Sequence, residues 1–201
     1  RDPGVNSRLL ARLLRMAWTA TLAAGAVGIV RQRSEARRVR VGTLPPDGPD
    51  GDRAPGTPHN AAFARLATWV PEAPSSAIGR WAAVLWSAPL TAVGLVVASA
   101  SGARPSWDAG RRCLVATGVG GPSSAALRLV GAGANTIGQV VLCRSESPSP
   151  ALLDHEAVHV RQAERLGPLL VPLYLWCNAL HGYRDNPLEH AARLGARSAR
   201  R

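Results

Sequence analysis

Residues 152–168 read LLDHEAVHVRQAERLGP, and within them His155, Glu156 and His159 form a His-Glu-x-x-His pattern. On a helix, two histidines four apart project from one face, so both imidazoles can reach a single ion. Glu156 is rotated by about 100° from His155, which sets its carboxylate beside a water on that ion. Zinc lowers the pKa of such a water toward neutrality, and a neighbouring glutamate can take its proton. The chemistry expected of the motif is metal-assisted hydrolysis, with Glu156 catalytic and His155 and His159 as Zn2+ ligands. The competing reading is two partly exposed histidines on an amphipathic helix, with Glu156 a solvated charge.

A hydrolytic zinc site needs a third protein ligand and keeps one position open. Glu189 is the first candidate, and His181, Asp185 and His190 are the alternatives. Asn186-Pro187-Leu188-Glu189 is also a capping-box pattern, in which Glu189 would fold back onto the backbone at Asn186 and not ligate. Tyr183 lies between the two ligand-bearing segments. It is either a hydrogen-bond donor to a developing oxyanion or an ordinary interfacial tyrosine. Arg184-Asp185 either orients the second ligand helix from behind the ligands or forms a surface pair. Gln162 falls near the histidine face, within reach of a ligand or a backbone group.

HEAVHVRQAERLGPLLVPLYL followed by GYRDNPLEHAA resembles the HExxHxxQ and NPxE signature of small bacterial membrane-associated proteins similar to the gluzincin class of zinc metallopeptidases. The resemblance implies His155, His159 and Glu189 as zinc ligands and Glu156 as general base. It extends upstream to the apolar segment around Trp86–Leu95 and to TIGQVVL, covering about residues 80–197. The chain departs from the pattern at Ala163, Leu166 and Leu188, where aromatic side chains are expected.

The elements that must position these residues can be read in part. Ser149-Pro150 is a helix start and Gly167-Pro168 a stop, which frames the motif helix. Asn186-Pro187 opens a second ligand helix, and the apolar LLVPLYLWCNAL (169–180) connects the two, either dipping into a bilayer or packing on the motif helix. Arg112–Thr117, Ala126–Val130 and Thr136–Cys143 read as strands of a small, three-stranded, antiparallel sheet, with Thr136–Cys143 as its edge. Trp81–Ala103 is uncharged for 23 residues, long enough for a membrane helix. The fold class expected is therefore α+β, and the resemblance implies that it is gluzincin-like. It divides into an appendage (1–79), a single membrane anchor (80–103) and a zinc-binding domain (104–201). Arginines flank the anchor on both sides, so neither membrane face is assigned to the domain.

Within 1–79, residues 16–30 form an uncharged stretch of fifteen residues, short for a span. An arginine-rich start and Ala24-Gly25-Ala26 fit a signal peptide, while five arginines in 31–40 oppose translocation. Residues 45–60 hold five prolines and three glycines and read as a disordered linker. The chain begins at Arg1 and its one methionine is Met16, which suggests a fragment edge, a processed end or a misplaced start.

Composition narrows the alternatives. All 24 basic residues are arginine, and the absence of lysine excludes a P-loop. The net charge of +11 raises nucleic acid or anionic lipid as partners. The excess is nevertheless even: 12 arginines against 6 acids in 1–80, and 12 against 7 in 81–201. With few aromatics and no basic stripe, no specific nucleic-acid binding is expected. Cys113, Cys143 and Cys177 form no CxxC pair and read as buried hydrophobes. The partners expected are a peptide or protein substrate and membrane lipid. The alternative function is a non-catalytic membrane protein in which a metal with four protein ligands staples two helices.

Overall fold

A computed structural model describes residues 3–44 and 61–199, with side chains from residue 11 onward. The linker expected at 45–60 lies outside the described residues. Helices α1 (Pro3–Arg40), α2 (Ala61–Ala67) and α3 (Ala77–Ala100) precede strands β1 (Ser106–Asp108) and β2 (Cys113–Ala116). Then follow α4 (Gly121–Val130), the hairpin β3 (Ala134–Ile137) and β4 (Val140–Cys143), and helices α5 (Pro150–Leu166), α6 (Leu170–His181) and α7 (Pro187–Ser198).

The α+β class holds, but the sheet has four strands in the order β1-β2-β4-β3 and is mixed. β1 pairs antiparallel with β2, β2 parallel with β4, and β4 antiparallel with β3. Residues 126–130 belong to α4 instead of a strand. Gly120-Gly121-Pro122 opens that helix, and Gly131, left-handed at φ 72°, closes it. The segment 136–143 is not one edge strand but a hairpin turning at Gly138 (φ 64°), so β3 is the edge and β4 lies inside.

β4 shows why Val-Val-Leu-Cys is apolar without a break: all four residues are buried. Val140 and Leu142 face a cluster with Ala98 of α3 and Leu127 of α4, while Val141 and Cys143 face Val160 of α5. A strand covered on both faces loses the in-and-out polarity of a half-solvated one. Burying a valine this fully stabilises the fold by about 1.5–3 kcal/mol, an upper estimate. α5 is thereby clamped to the sheet.

Residues before 80 are not set apart from this unit. Phe63 and Ala67 of α2 are buried, and Leu66 joins the cluster of Ala163, Leu170 and Leu188 contributed by α5, α6 and α7. α1 lies along α6: a side chain at Gly25 would touch Leu175, and one at Gly28 would meet the Asn178 amide at 2.8 Å. Arg31 donates to the carbonyls of Ala179 (2.5 Å) and Leu180 (3.0 Å), closing the C-terminal end of α6.

Two helices are long and apolar enough to cross a membrane by length and composition, Ala11–Arg40 and Ala77–Ala100. The sequence reading counts a single anchor; α1 also meets this length and composition because its helix continues well beyond the fifteen uncharged residues at its centre. Ser76 caps α3 by accepting from the Gly79 N–H at 3.0 Å, and Pro89 is accommodated inside it.

Candidate metal centre

α5 begins where the sequence says it should. Ser149 accepts from the Leu152 N–H at 3.2 Å, Pro150 fills the first position, and the chain leaves the helix at Gly167 with φ 53°. The helical spacing brings His155 Nε2 and His159 Nε2 to 3.3 Å from each other. α7, packed against α5, delivers Glu189 to the same point, with Oε2 at 3.2 Å from His155 Nε2 and Oε1 at 3.3 Å from His159 Nε2.

These distances match a metal site. Donors bound at about 2.0–2.1 Å in a tetrahedron stand about 3.3 Å apart. Each Glu189 oxygen faces one of the two imidazoles, and one ligand atom from each of the three residues lies within 4.8 Å of the other two. Glu189 Oε2 is buried, makes no hydrogen bond and faces His155 Nε2 at 3.2 Å, an arrangement that costs free energy unless a proton or a metal cation stands between them.

Glu189 does not cap its own helix. Asn186 caps α7 through its side chain, which accepts from the Leu188 N–H at 3.0 Å, and the Asn186 N–H goes to the Tyr183 carbonyl at 3.3 Å. The glutamate is thus left to the histidines. Tyr174 of α6 donates its phenol to Glu189 Oε1 at 2.7 Å.

The tautomer of His159 follows from its neighbour. Gln162 Nε2 donates to the Leu188 carbonyl at 3.3 Å, which can only accept, so Gln162 Oε1 faces His159 Nδ1 at 2.9 Å. Nδ1 then carries the hydrogen, and Nε2 of the neutral ring points its lone pair into the cluster.

Without a metal the cluster holds a proton. Burial opposes charge on His159, but the Glu189 carboxylate outweighs it and raises the pKa to about 9. Burial likewise works against the Glu189 carboxylate, yet the facing His159 and His155 hold it well below the ordinary carboxylate range. A divalent cation would take the place of that proton.

Glu156 is buried, and its Oε2 accepts from Thr136 Oγ1 of β3 at 2.6 Å. It shares with His155, His159, Glu189, Tyr174 and Tyr183 a mainly apolar cavity of about 590 Å³. Tyr183 is therefore in the cavity, though the phenol that touches a ligand is Tyr174.

The other candidates stand elsewhere. His181 and His190 set their rings edge-on to Phe63 of α2, at 4.9 and 6.3 Å between centroids. Asp185 is in the turn before α7, where the Arg184 N–H donates to Glu35 of α1 at 3.4 Å and the Arg184 carbonyl accepts from Arg193 at 2.6 Å. Among the described residues the metal-capable cluster is His155, His159 and Glu189 alone.

Thr136 and Tyr174 had no individual signal in the sequence. Thr136 sits in the predicted edge segment and Tyr174 in an apolar run, and only the return of both elements to α5 gives them partners. No family model, curated protein or solved structure matches the chain, and the candidate centre stands on this geometry.

Proposed function

We propose that the protein is a membrane-associated, zinc-dependent hydrolase of gluzincin type that cleaves peptide bonds. The observation that carries the reading is the triangle of His155 Nε2, His159 Nε2 and a Glu189 carboxylate, with Glu156 beside it in one cavity. When bound there, the ion would supply Lewis acidity toward a water and a substrate carbonyl. Glu156 would take a proton from the attacking water on a carboxylate oxygen and return it to the leaving amine nitrogen as the C–N bond breaks. Thr136 orients that carboxylate. Tyr174 and Gln162 hold Glu189 and His159 in place, and Tyr183 is the phenol proposed to donate toward the developing oxyanion.

A closed structural site would require a fourth protein donor. The positions of His181 and His190 against Phe63 argue against either of them as that donor.

The test is metal content of the full chain in detergent, with hydrolysis measured on the same preparation. Near one zinc per chain is expected, lost in His159→Ala and Glu189→Ala. A parent chain that takes up no zinc even after reconstitution ends the hydrolase reading.

A further inference from the structure

Two independent contacts set the depth of the centre relative to the helices that could cross a bilayer. The β3–β4 turn rests on the middle of α3. A side chain at Gly138 would collide with the Thr91 N–H, and one at Gly94 would meet the Ile137 carbonyl at 2.6 Å. At 1.5 Å per residue, Thr91 and Gly94 lie about 4 and 8 Å from the midpoint of Ala77–Ala100. On the other side, α6 touches α1 at Gly25 and Gly28, about 3 and 8 Å from the midpoint of the uncharged stretch 16–30. Both offsets fall inside the roughly 15 Å half-thickness of a hydrocarbon core.

α6 carries a matching surface. It has 12 residues, about 18 Å of helix and too short to span. Leu169 just before it and Trp176 and Leu180 on it are nevertheless exposed, at 60%, 43% and 65%. α1, packed against α6, also exposes apolar residues such as Leu22 and Val30, and large apolar side chains exposed on neighbouring helices fit contact with an apolar phase.

The cavity opens toward the same side. Ile29 of α1, Val93 of α3 and Val171 of α6 line it while remaining 45%, 53% and 40% exposed, so they form its rim. The floor is different. The Gly133 carbonyl accepts from the Arg144 N–H, and from that bond the antiparallel alternation turns the backbone groups of Ala134 and Thr136 to the free edge of β3. Asn178 Oδ1, buried in the cavity wall one helical turn from Tyr174, has no hydrogen-bond partner. Backbone donors and acceptors of a polypeptide would satisfy both features; an acyl chain would satisfy neither.

We propose that the metal centre works at bilayer depth and that its substrate is an apolar, membrane-resident polypeptide segment entering between α1 and α3. The apolar rim admits the segment from the lipid. The β3 edge and Asn178 then take its backbone, extended, past Glu156. The substrate assignment rests on the hydrolase reading above; the depth does not.

The test uses the full chain in vesicles of zwitterionic lipid. Nitroxides are placed at Trp176→Cys, at Leu85→Cys as a mid-span reference on α3, and at Ser147→Cys as an aqueous reference, the three native cysteines being buried. Trp176 and Leu85 labels are expected to share high oxygen and low nickel-chelate accessibility. A Trp176 label as open to the nickel chelate as the Ser147 label overturns the placement.

Zinc-loaded vesicles are then given a quenched leucine-alanine transmembrane peptide of about 20 residues or a polar, water-soluble peptide of equal length. At least tenfold faster cleavage of the transmembrane peptide is expected. Val93→Trp or Ile29→Trp at the rim should lower it at least tenfold with zinc content unchanged. Preference for the soluble peptide overturns the substrate assignment. Cleavage of neither peptide by zinc-loaded protein overturns the hydrolase reading and the assignment with it, and the labels judge the depth by themselves.

Discussion

Tyr174 on α6 and Glu189 on α7 meet through a 2.7 Å hydrogen bond from the phenol to Oε1, the same oxygen that faces His159 Nε2 at 3.3 Å. An apolar connecting helix thus orients a candidate ligand on the next one. Partners behind a ligand typically account for 10–100-fold in metal affinity. Tyr174→Phe removes the donor and keeps the ring. It should weaken zinc about tenfold or more in a chelator competition while the helical content by circular dichroism stays unchanged.

Glu156 and Thr136 separate catalysis from binding. Glu156→Gln keeps the size of the side chain but cannot accept a proton. It should retain zinc near one per chain and lose hydrolysis by at least 10²-fold. Thr136→Val leaves the carboxylate without the 2.6 Å hydrogen bond that holds it and should give an intermediate loss, smaller than that of the glutamine variant. Full turnover in Glu156→Gln would falsify its role as the base.

How far the sequence reaches is clearest in the two helices that carry the candidate ligands. Ser149-Pro150, Gly167-Pro168 and Asn186-Pro187 are local signals: α5 begins and ends at the first two, and α7 begins at the third. The pairing of His155 with His159 is equally local, a consequence of helical pitch. The position of Glu189 is not, because its alternative as a capping residue is excluded only by where α7 docks. The same limit explains Ala126–Val130. Five apolar-rich residues suit a strand or a helix alike, and the helix is framed by Pro122 at its start and the left-handed Gly131 at its end. The sequence around Gly138 likewise hid a hairpin inside what reads as one strand, since the turn is enforced by contact with Thr91 on α3. α1 is the largest difference: nothing within residues 1–40 announces that Gly25 and Gly28 approach α6.

Gln162→Leu tests the tautomer argument. The substitution preserves volume but leaves His159 Nδ1 and the Leu188 carbonyl without their partner, both in a buried setting. Leaving buried polar groups unpaired costs about 1–3 kcal/mol. The variant should therefore show a lower melting temperature as well as weaker zinc binding. Tyr174→Phe, by contrast, is expected to affect chiefly the zinc.

Gly138 links the hairpin to α3 and so to the centre. Its φ of 64° disfavours any side chain, and a Cβ there would fall 2.3 Å from the Thr91 nitrogen, a backbone atom that cannot swing away. Gly138→Ala should destabilise the domain by about 1–3 kcal/mol. Because Thr136 is two residues away, the loss should also appear in turnover at saturating zinc. Ala substitution at Gly102, which also has positive φ but nothing within 4 Å of its Cβ, should cost less in melting temperature and leave turnover intact.

The protonated, metal-free cluster makes the last prediction, and its direction follows from both partners. His159 has an ordinary pKa of 6.5 and is raised to about 9 in the fold. Its contribution to stability is therefore fully present below about pH 6.5 and is lost as pH rises through 9. Glu189 is held below its ordinary 4.5, so its contribution is present above that value and fades as pH falls beneath it. Between them lies a plateau at weakly acid pH. The chelator-treated protein should melt several degrees lower at about pH 9.5 than at about pH 6, and His159→Gln should lack most of that difference. Zinc-loaded protein should behave in the opposite sense. The ion displaces the proton, so its binding strengthens as pH rises toward 9, and the loaded form should not share the alkaline loss. Identical pH profiles with and without zinc would show that His159 and Glu189 are not where the ion binds.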